Sequence, residues 1–314
     1  MMKTTLLTLA FCFFILFNSC RKDHASLKNE DSYASTSDFL EKNAPVFHNY
    51  VIDGMTGGQF TTQQGTVVEI PPQAFRDQMG HDITSTVNVQ FKDIYKKSDM
   101  FFSDVPTTIY PSGQLLKSGG EFCIQVTAGN LPLMLKSGKT ILVNQPGDLT
   151  GGIDSINNLT AFGRYDSSAI NSGWYPNQYD TVYTSLTNYI YHLSWLNPNA
   201  SPGTWINTDN ATFFSAYPQT SLTLHPSNQE SENCNVYLIF NDIATMIHVY
   251  SNGTNFTYSF APQGLACTMV AIMIKNGSPY SAFVPITITA NQVVNFTVSE
   301  TTTAAFKNYL ESLD

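Results

Sequence analysis

Apolar and polar residues alternate one by one along most of the chain, in short runs. Thr66-Val67-Val68-Glu69-Ile70, Ser85-Thr86-Val87-Asn88-Val89-Gln90-Phe91 and Glu121-Phe122-Cys123-Ile124-Gln125-Val126 carry the pattern, with shorter runs at Gln59–Thr62 and Thr140–Val143. A period of two buries one face of an extended chain and wets the other, so these runs predict β-strands. Gly57-Gly58, Pro71-Pro72, Met79-Gly80, Ser118-Gly119-Gly120 and Ser137-Gly138 punctuate them at sandwich-like spacing. A second set of seven runs starts at Thr220–Leu224, Asn235–Phe240, Met246–Tyr250, Asn255–Phe260, Cys267–Ile274, Tyr280–Val284 and Gln292–Val298. Ser251-Asn252-Gly253 and Lys275-Asn276-Gly277 are hairpin signals between them, and the strand count predicts an immunoglobulin- or fibronectin-like sandwich. Helical spacing occurs at the end, where Phe306, Tyr309, Leu310 and Leu313 share a face. Asp38–Lys42 reads as one helical turn capped by Ser37.

Between the two strand-rich regions the composition shifts to Asn, Ser, Tyr and Gly. One strand pair, Asp180–Leu186 with Asn188–Leu193, and a run at Gly203–Asp209 stand out there. The expected fold is all-β: two β-sandwich domains joined by a strand-poor connector, with a short C-terminal helix. The expected divisions are a signal peptide over 1–19, a flexible polar tether over 20–45, a first sandwich over 46–145, the connector over 146–210 and a second sandwich with its helix over 211–314.

The N-terminus reads as an address. Lys3 precedes an apolar run of 12 residues, Leu6–Phe17, which suits a signal-peptide core and is short for a membrane span. The run ends in Leu16-Phe17-Asn18-Ser19-Cys20, followed by Arg21-Lys22-Asp23. This resembles the lipobox of bacterial lipoproteins, with Phe17 where Leu is common. The resemblance implies that Cys20 is acylated, becomes the first mature residue and holds the chain to a lipid bilayer, at an outer membrane or cell surface. Several acyl chains on one Cys anchor stably, whereas one is marginal.

Composition narrows the partners. Charged residues are 12% and the formal charge is -9, with no basic cluster past the N-terminus, so nucleic acid is excluded as a partner. A hydrophobic content of 42% excludes a disordered chain. Past Cys12 and Cys20 remain Cys123, Cys234 and Cys267, an odd set. Cys234 and Cys267 lie in neighbouring predicted strands, where they are either bridged or small buried hydrophobes. No CxxC or HExxH occurs, so neither a metal nor a cofactor is expected.

Gly58-Gln59-Phe60, then Gly65-Thr66-Val67-Val68-Glu69-Ile70-Pro71-Pro72-Gln73-Ala74-Phe75, the strand around Val87-Asn88-Val89, Pro106-Thr107-Thr108 and Ser118-Gly119-Gly120-Glu121-Phe122 together resemble a known β-sandwich. It is the domain shared by zonula-occludens proteins, netrin receptors and ankyrins, and it implies a fold with an adhesive or scaffolding habit. Pro71-Pro72 would end its strand, because proline donates nothing to a ladder. Trp205-Ile206-Asn207-Thr208-Asp209 is similar to a segment of Gram-negative lipoproteins that carry this sandwich.

Candidate chemistry is sparse. Some relatives of that sandwich cut themselves at His-Phe-Ser, where His activates the Ser hydroxyl for an acyl shift. Tyr191-His192-Leu193-Ser194 resembles the site, with His192 and Ser194 in those roles and Leu193 for Phe. No G-x-S-x-G elbow occurs. Asp93, Asp99 and Asp104 read as solvated loop charges, as Ca²⁺ ligands or as paired carboxylates of a hydrolase. Trp174, Tyr175, Tyr179, Tyr183, Trp195 and Trp205 either offer flat rings to a glycan or protein ligand or fill the space between the sandwiches. Asp154-Ser155-Ile156 and Asp180-Thr181-Val182 resemble acceptors of bacterial O-glycosylation. The expected function is a non-catalytic binding or adhesion module, with self-cleavage at Leu193-Ser194 and a structural role in a cell-envelope assembly as alternatives.

Overall fold

Each alternating run becomes a strand. The computed structural model describes residues 32–152, 159–164, 173–176, 180–201, 203–228 and 233–314. Cys20, the 1–19 segment, Tyr179 and Asp154-Ser155-Ile156 lie outside these residues. In chain order the first part comprises α1 (Thr36–Asn43), β1 (His48–Asp53), β2 (Gly58–Thr61), β3 (Val67–Ile70), β4 (Phe75–Arg76), β5 (Thr86–Ile94), α2 (Lys97–Phe102), β6 (Lys117–Ala128), β7 (Leu131–Pro132), β8 (Met134–Leu135) and β9 (Ile141–Pro146). It continues through β10 (Leu159–Arg164), β11 (Tyr175–Pro176), β12 (Thr181–Thr184), β13 (Asn188–Leu193) and β14 (Thr204–Asn210). The second part holds β15 (Gln219–Pro226), β16 (Asn235–Phe240), β17 (Met246–Val249), β18 (Phe256–Pro262), β19 (Ala266–Lys275), β20 (Ser278–Thr287), β21 (Gln292–Phe296), β22 (Ser299–Glu300) and α3 (Thr303–Glu311). The protein is all-β, with a short C-terminal helix.

Two sheets form the first sandwich. One runs β1-β5-β6-β14-β10-β11, with β7 beside β6, and the other runs β12-β13-β9-β3-β2. Val87, Val89, Phe91, Phe122, Ile124 and Ile206 from the first sheet meet Val68, Ile70, Ile141, Val143, Tyr191 and Leu193 from the second. The stretch 146–210, expected as a strand-poor connector, supplies β10 to β14, which pair within these two sheets. The run that becomes β14 shows no alternation for a physical reason. β14 is buried at all seven positions, on both faces, so its polar residues do not alternate with apolar ones.

The second sandwich sets β18-β15-β21 against β17-β16-β19-β20-β22. Leu222, Leu224, Val236, Leu238, Phe240, Ile247, Val249, Met269 and Ala271 fill it. Cys123, Cys234 and Cys267 are buried and none is in a disulfide, so the Cys234–Cys267 bridge does not form. Burial pushes the Cys234 and Cys267 thiols up to about 12, which leaves them unreactive.

A third core joins the two sandwiches. Phe39 of α1, Phe101 and Phe102 of α2, and Phe306 and Leu310 of α3 gather there with Trp174, Trp205, Tyr237, Ile239, Val270 and Ile272. The expected tether therefore does not extend to residue 45: Tyr33, Phe39 and Leu40 are buried in this core, and Tyr33–Asp314 forms one compact unit. Three apolar side chains within eight residues have enough surface to bury when a neighbouring helix offers the other side. The α1 cap is Ser35 rather than Ser37, its Oγ accepting from Asp38 N at 3.1 Å. Helix α2 was not expected. Its Lys97 is buried because its ammonium donates to the Phe240 and Asn241 carbonyls at 2.9 and 2.5 Å, tying α2 to the second sandwich.

Candidate functional site

A groove lined by tyrosines opens where the two sandwiches meet. Its floor is the loop between α2 and β6. Thr107 N donates to the Met246 carbonyl at 2.8 Å, which fastens the loop to β17. Trp174 N donates to Thr108 O at 2.7 Å and Tyr110 N to Trp174 O at 3.0 Å, which fastens it to the start of β11. Gly173 fits there because a Cβ would stand 3.0 Å from Thr108 O and Tyr110 N. The loop then reverses at Gly113, whose φ is +72°, and the Gly113 carbonyl accepts from Tyr258 OH of β18 at 2.9 Å. Residues far apart in sequence are thus held around one concavity of about 250 Å³.

Strand alternation aims the rings. In Met246–Tyr250, Ile247 and Val249 point into the second core, so His248 and Tyr250 point the other way. The His248 ring stacks on Tyr250 at 4.4 Å and on Tyr237 at 4.5 Å, and the Tyr237 hydroxyl donates to Asp104 at 3.2 Å. On the opposite rim Tyr110 and Tyr175 pack at 4.9 Å. Tyr175 and Tyr250 are 36% and 37% exposed, which leaves ring surface open to a ligand. Among the described residues lining the groove none is Asp, Glu, Lys or Arg. Burial pushes the Tyr258 phenol above its ordinary range, so it stays neutral at physiological pH. The groove offers flat rings, the Thr108 and Thr257 hydroxyls and the His248 imidazole.

Two larger clefts carry charges, several of them already engaged. One, of about 520 Å³, is lined by Lys97, Asp242 and Asp314, and there Ser98 donates to the Asp314 carboxylate through N and Oγ at 2.9 and 2.7 Å. The other, of about 460 Å³, brings Asp93, Asp99, Glu311, Lys92 and Lys96 together. Asp93 accepts from the Thr62 and Thr66 hydroxyls at 2.6 and 2.7 Å, bonds that brace β2 and β3 against β5. Burial first, then Asp314, push the Asp99 carboxyl up to about 6. Asp104 lies apart, beside Tyr237 and His248. Among the described residues no group of three or more His, Cys, Asp or Glu side chains is placed to hold a metal ion.

The residues singled out in the sequence separate. Trp174 and Trp205 are 1% and 6% exposed and fill the core between the sandwiches, so neither presents a ring face outward. Tyr175 borders the groove through Tyr110, and Trp195 is 39% exposed elsewhere, just past β13. Ser194 donates through N and Oγ to Asp180 at 2.7 and 2.8 Å, while the His192 ring lies 4.9 Å from Tyr183. Tyr110, His248, Tyr250 and Tyr258 were not anticipated. The outward positions of His248 and Tyr250 on an otherwise apolar strand were the one available signal. Scanned against models of known protein families the chain matches none, and a search of curated proteins finds no match.

Proposed function

We propose that the chain is a lipid-anchored, extracytoplasmic, non-catalytic binding module whose tyrosine groove holds a neutral saccharide. The groove, lined by no Asp, Glu, Lys or Arg and bordered by two exposed rings, carries the reading. A pyranose ring presents polarised C–H bonds on its faces and hydroxyls on its edge. Tyrosine rings attract the first, and the threonine hydroxyls and backbone groups of the groove pair with the second. The lipobox-like Leu16–Cys20 supports the anchor, and the sandwich resemblance over Gly57–Val143 supports an adhesive role.

The test is a glycan array followed by calorimetry with the best oligosaccharide, using wild type and Tyr250→Ala. One aromatic contact contributes about 0.5–1.5 kcal/mol, so the variant should bind about 2- to 12-fold more weakly while keeping its fold. A glycan that binds both proteins equally, or capture of proline-rich peptides in place of glycans, sinks the saccharide reading. Intact mass spectrometry of chain from detergent-solubilised membranes tests the anchor, which requires a mature mass beginning at Cys20 with acyl groups added. Fragments meeting at Leu193-Ser194 would show catalysis and overturn the non-catalytic part.

A further inference from the structure

The interior of the first sheet holds two fully buried acidic side chains. On β14 the side chains of Trp205, Asn207 and Asp209 share one face. Asn207 stands opposite Glu121, Asp209 opposite Ser118, and the ladder shifts register between them. Three steps of β6 thus face two of β14, an irregularity that Gly120, at φ +118°, accommodates. Glu121 becomes the diagonal neighbour of Asp209, within reach of its carboxyl. Glu121, Asn207 and Asp209 all have 0% exposure.

Neither carboxyl oxygen of Asp209 receives a well-formed hydrogen bond, and the Asn207 amide nitrogen has no acceptor. Asp209 faces the Glu121 carboxylate, and the Lys92 ammonium acts on Glu121. The buried Lys92 ammonium stands 4.9 Å over the Trp205 ring. An uncompensated carboxylate in a buried interior is strongly destabilising. A proton shared between carboxyls would show as a short oxygen–oxygen contact of about 2.5–2.7 Å. The Asp209 oxygens make no such contact.

We infer that Glu121, Asn207, Asp209 and Ser118 form an interior binding site for a hard divalent cation, Ca²⁺, lodged between β6 and β14. The donors are all oxygen: two carboxylates, the Asn207 amide and the Ser118 hydroxyl, with the last two held together at 3.1 Å. Oxygen donors of this kind suit Ca²⁺, while the absence of His and Cys from the set disfavours zinc. Mg²⁺ gives up its waters reluctantly and fits a dry site poorly. The ion would join strands on either side of a ladder irregularity, and its charge would balance the carboxylates.

The experiment is native mass spectrometry and terbium luminescence on the full chain. After dialysis against about 1 mM Ca²⁺, the range of extracellular modules, one ion per chain is expected, lost with a chelator and restored on addition. Terbium at the site should emit on tryptophan excitation, because Trp205 lies on the same strand face about 7 Å from Asn207. Asp209→Asn should weaken binding by more than the about 100-fold that loss of an outer-shell partner causes. Asp99→Asn, in the open cleft, should not change it. A wild-type chain that holds no Ca²⁺ overturns the site, whether or not the variant folds. An Asp209→Asn chain that retains its ion overturns it as well.

Discussion

Asp99 sits in α2 on the wall of the cleft that also holds Asp93, Lys96 and Glu311. Burial raises its carboxyl from an ordinary 3.8 to about 6, with repulsion from Asp314, Asp93 and Glu311 partly offset by Lys96. The unfolded chain therefore gives up this proton first, near 3.8, and the native state only near 6. Across that window the native state binds more protons, so stability falls as pH rises, by up to about 1.4 kcal/mol per pH unit, and levels off above it. A shift of about two units amounts to about 3 kcal/mol at neutral pH. Asn keeps the shape of the side chain and cannot ionise. Asp99→Asn should thus be more stable than wild type by about 2–3 kcal/mol at pH 7.5, with the difference vanishing near pH 4. Urea denaturation of both proteins at about pH 4, 5, 6 and 7.5 measures this, provided m stays constant. Parallel pH curves, or a variant less stable at pH 7.5, would show that Asp99 is not held in the desolvated environment described.

Phe306 meets Phe39, Phe101, Phe102 and Phe283 at centroid distances between 5.2 and 6.2 Å. Its replacement by Ala should remove about 3–5 kcal/mol, read by chemical denaturation, and a loss under about 1 kcal/mol would refute the central place given to this core. A Cβ at Gly120 would stand 2.6 Å from the Tyr95 ring at a φ of +118°, whereas Gly113 has open space at φ +72°. Gly120→Ala should therefore destabilise by about 2 kcal/mol or more and Gly113→Ala by only about 1 kcal/mol, read as a larger and a smaller drop in Tm; equal effects would contradict the packing. Lys97→Met should destabilise by about 3 kcal/mol, since two carbonyls of the second sandwich lose a charged donor, and differential scanning calorimetry detects it as a lower Tm.

Strand positions were legible because alternation is a local property of a few consecutive residues. Asn235–Phe240 emerged with the boundaries read from the sequence, and Asn188–Leu193 likewise. The C-terminal helix was legible from the spacing of Phe306, Tyr309 and Leu310. What the alternation does not carry is which strand lies beside which. The Asn- and Tyr-rich stretch after Pro146 looked like a connector because β14 is enclosed on both faces, and a strand so placed has no wet side to mark with a repeat. Nothing local marks polar Asn207 and Asp209 as interior, and only the pairing of β14 with β6 puts them opposite Glu121 and Ser118 inside the protein. From sequence Trp174 and Trp205 were equally ligand rings or filling between the sandwiches, and the packing of the helices α1 to α3 against both sandwiches makes them core. Tyr110, His248 and Tyr258 come from three separate segments, so no window of sequence contains their groove. Local periodicity determines whether a residue faces a core or water within its own strand. Long-range pairing and packing determine what lies on the other side, and both the tyrosine groove and the buried carboxylates are made of those distant neighbours.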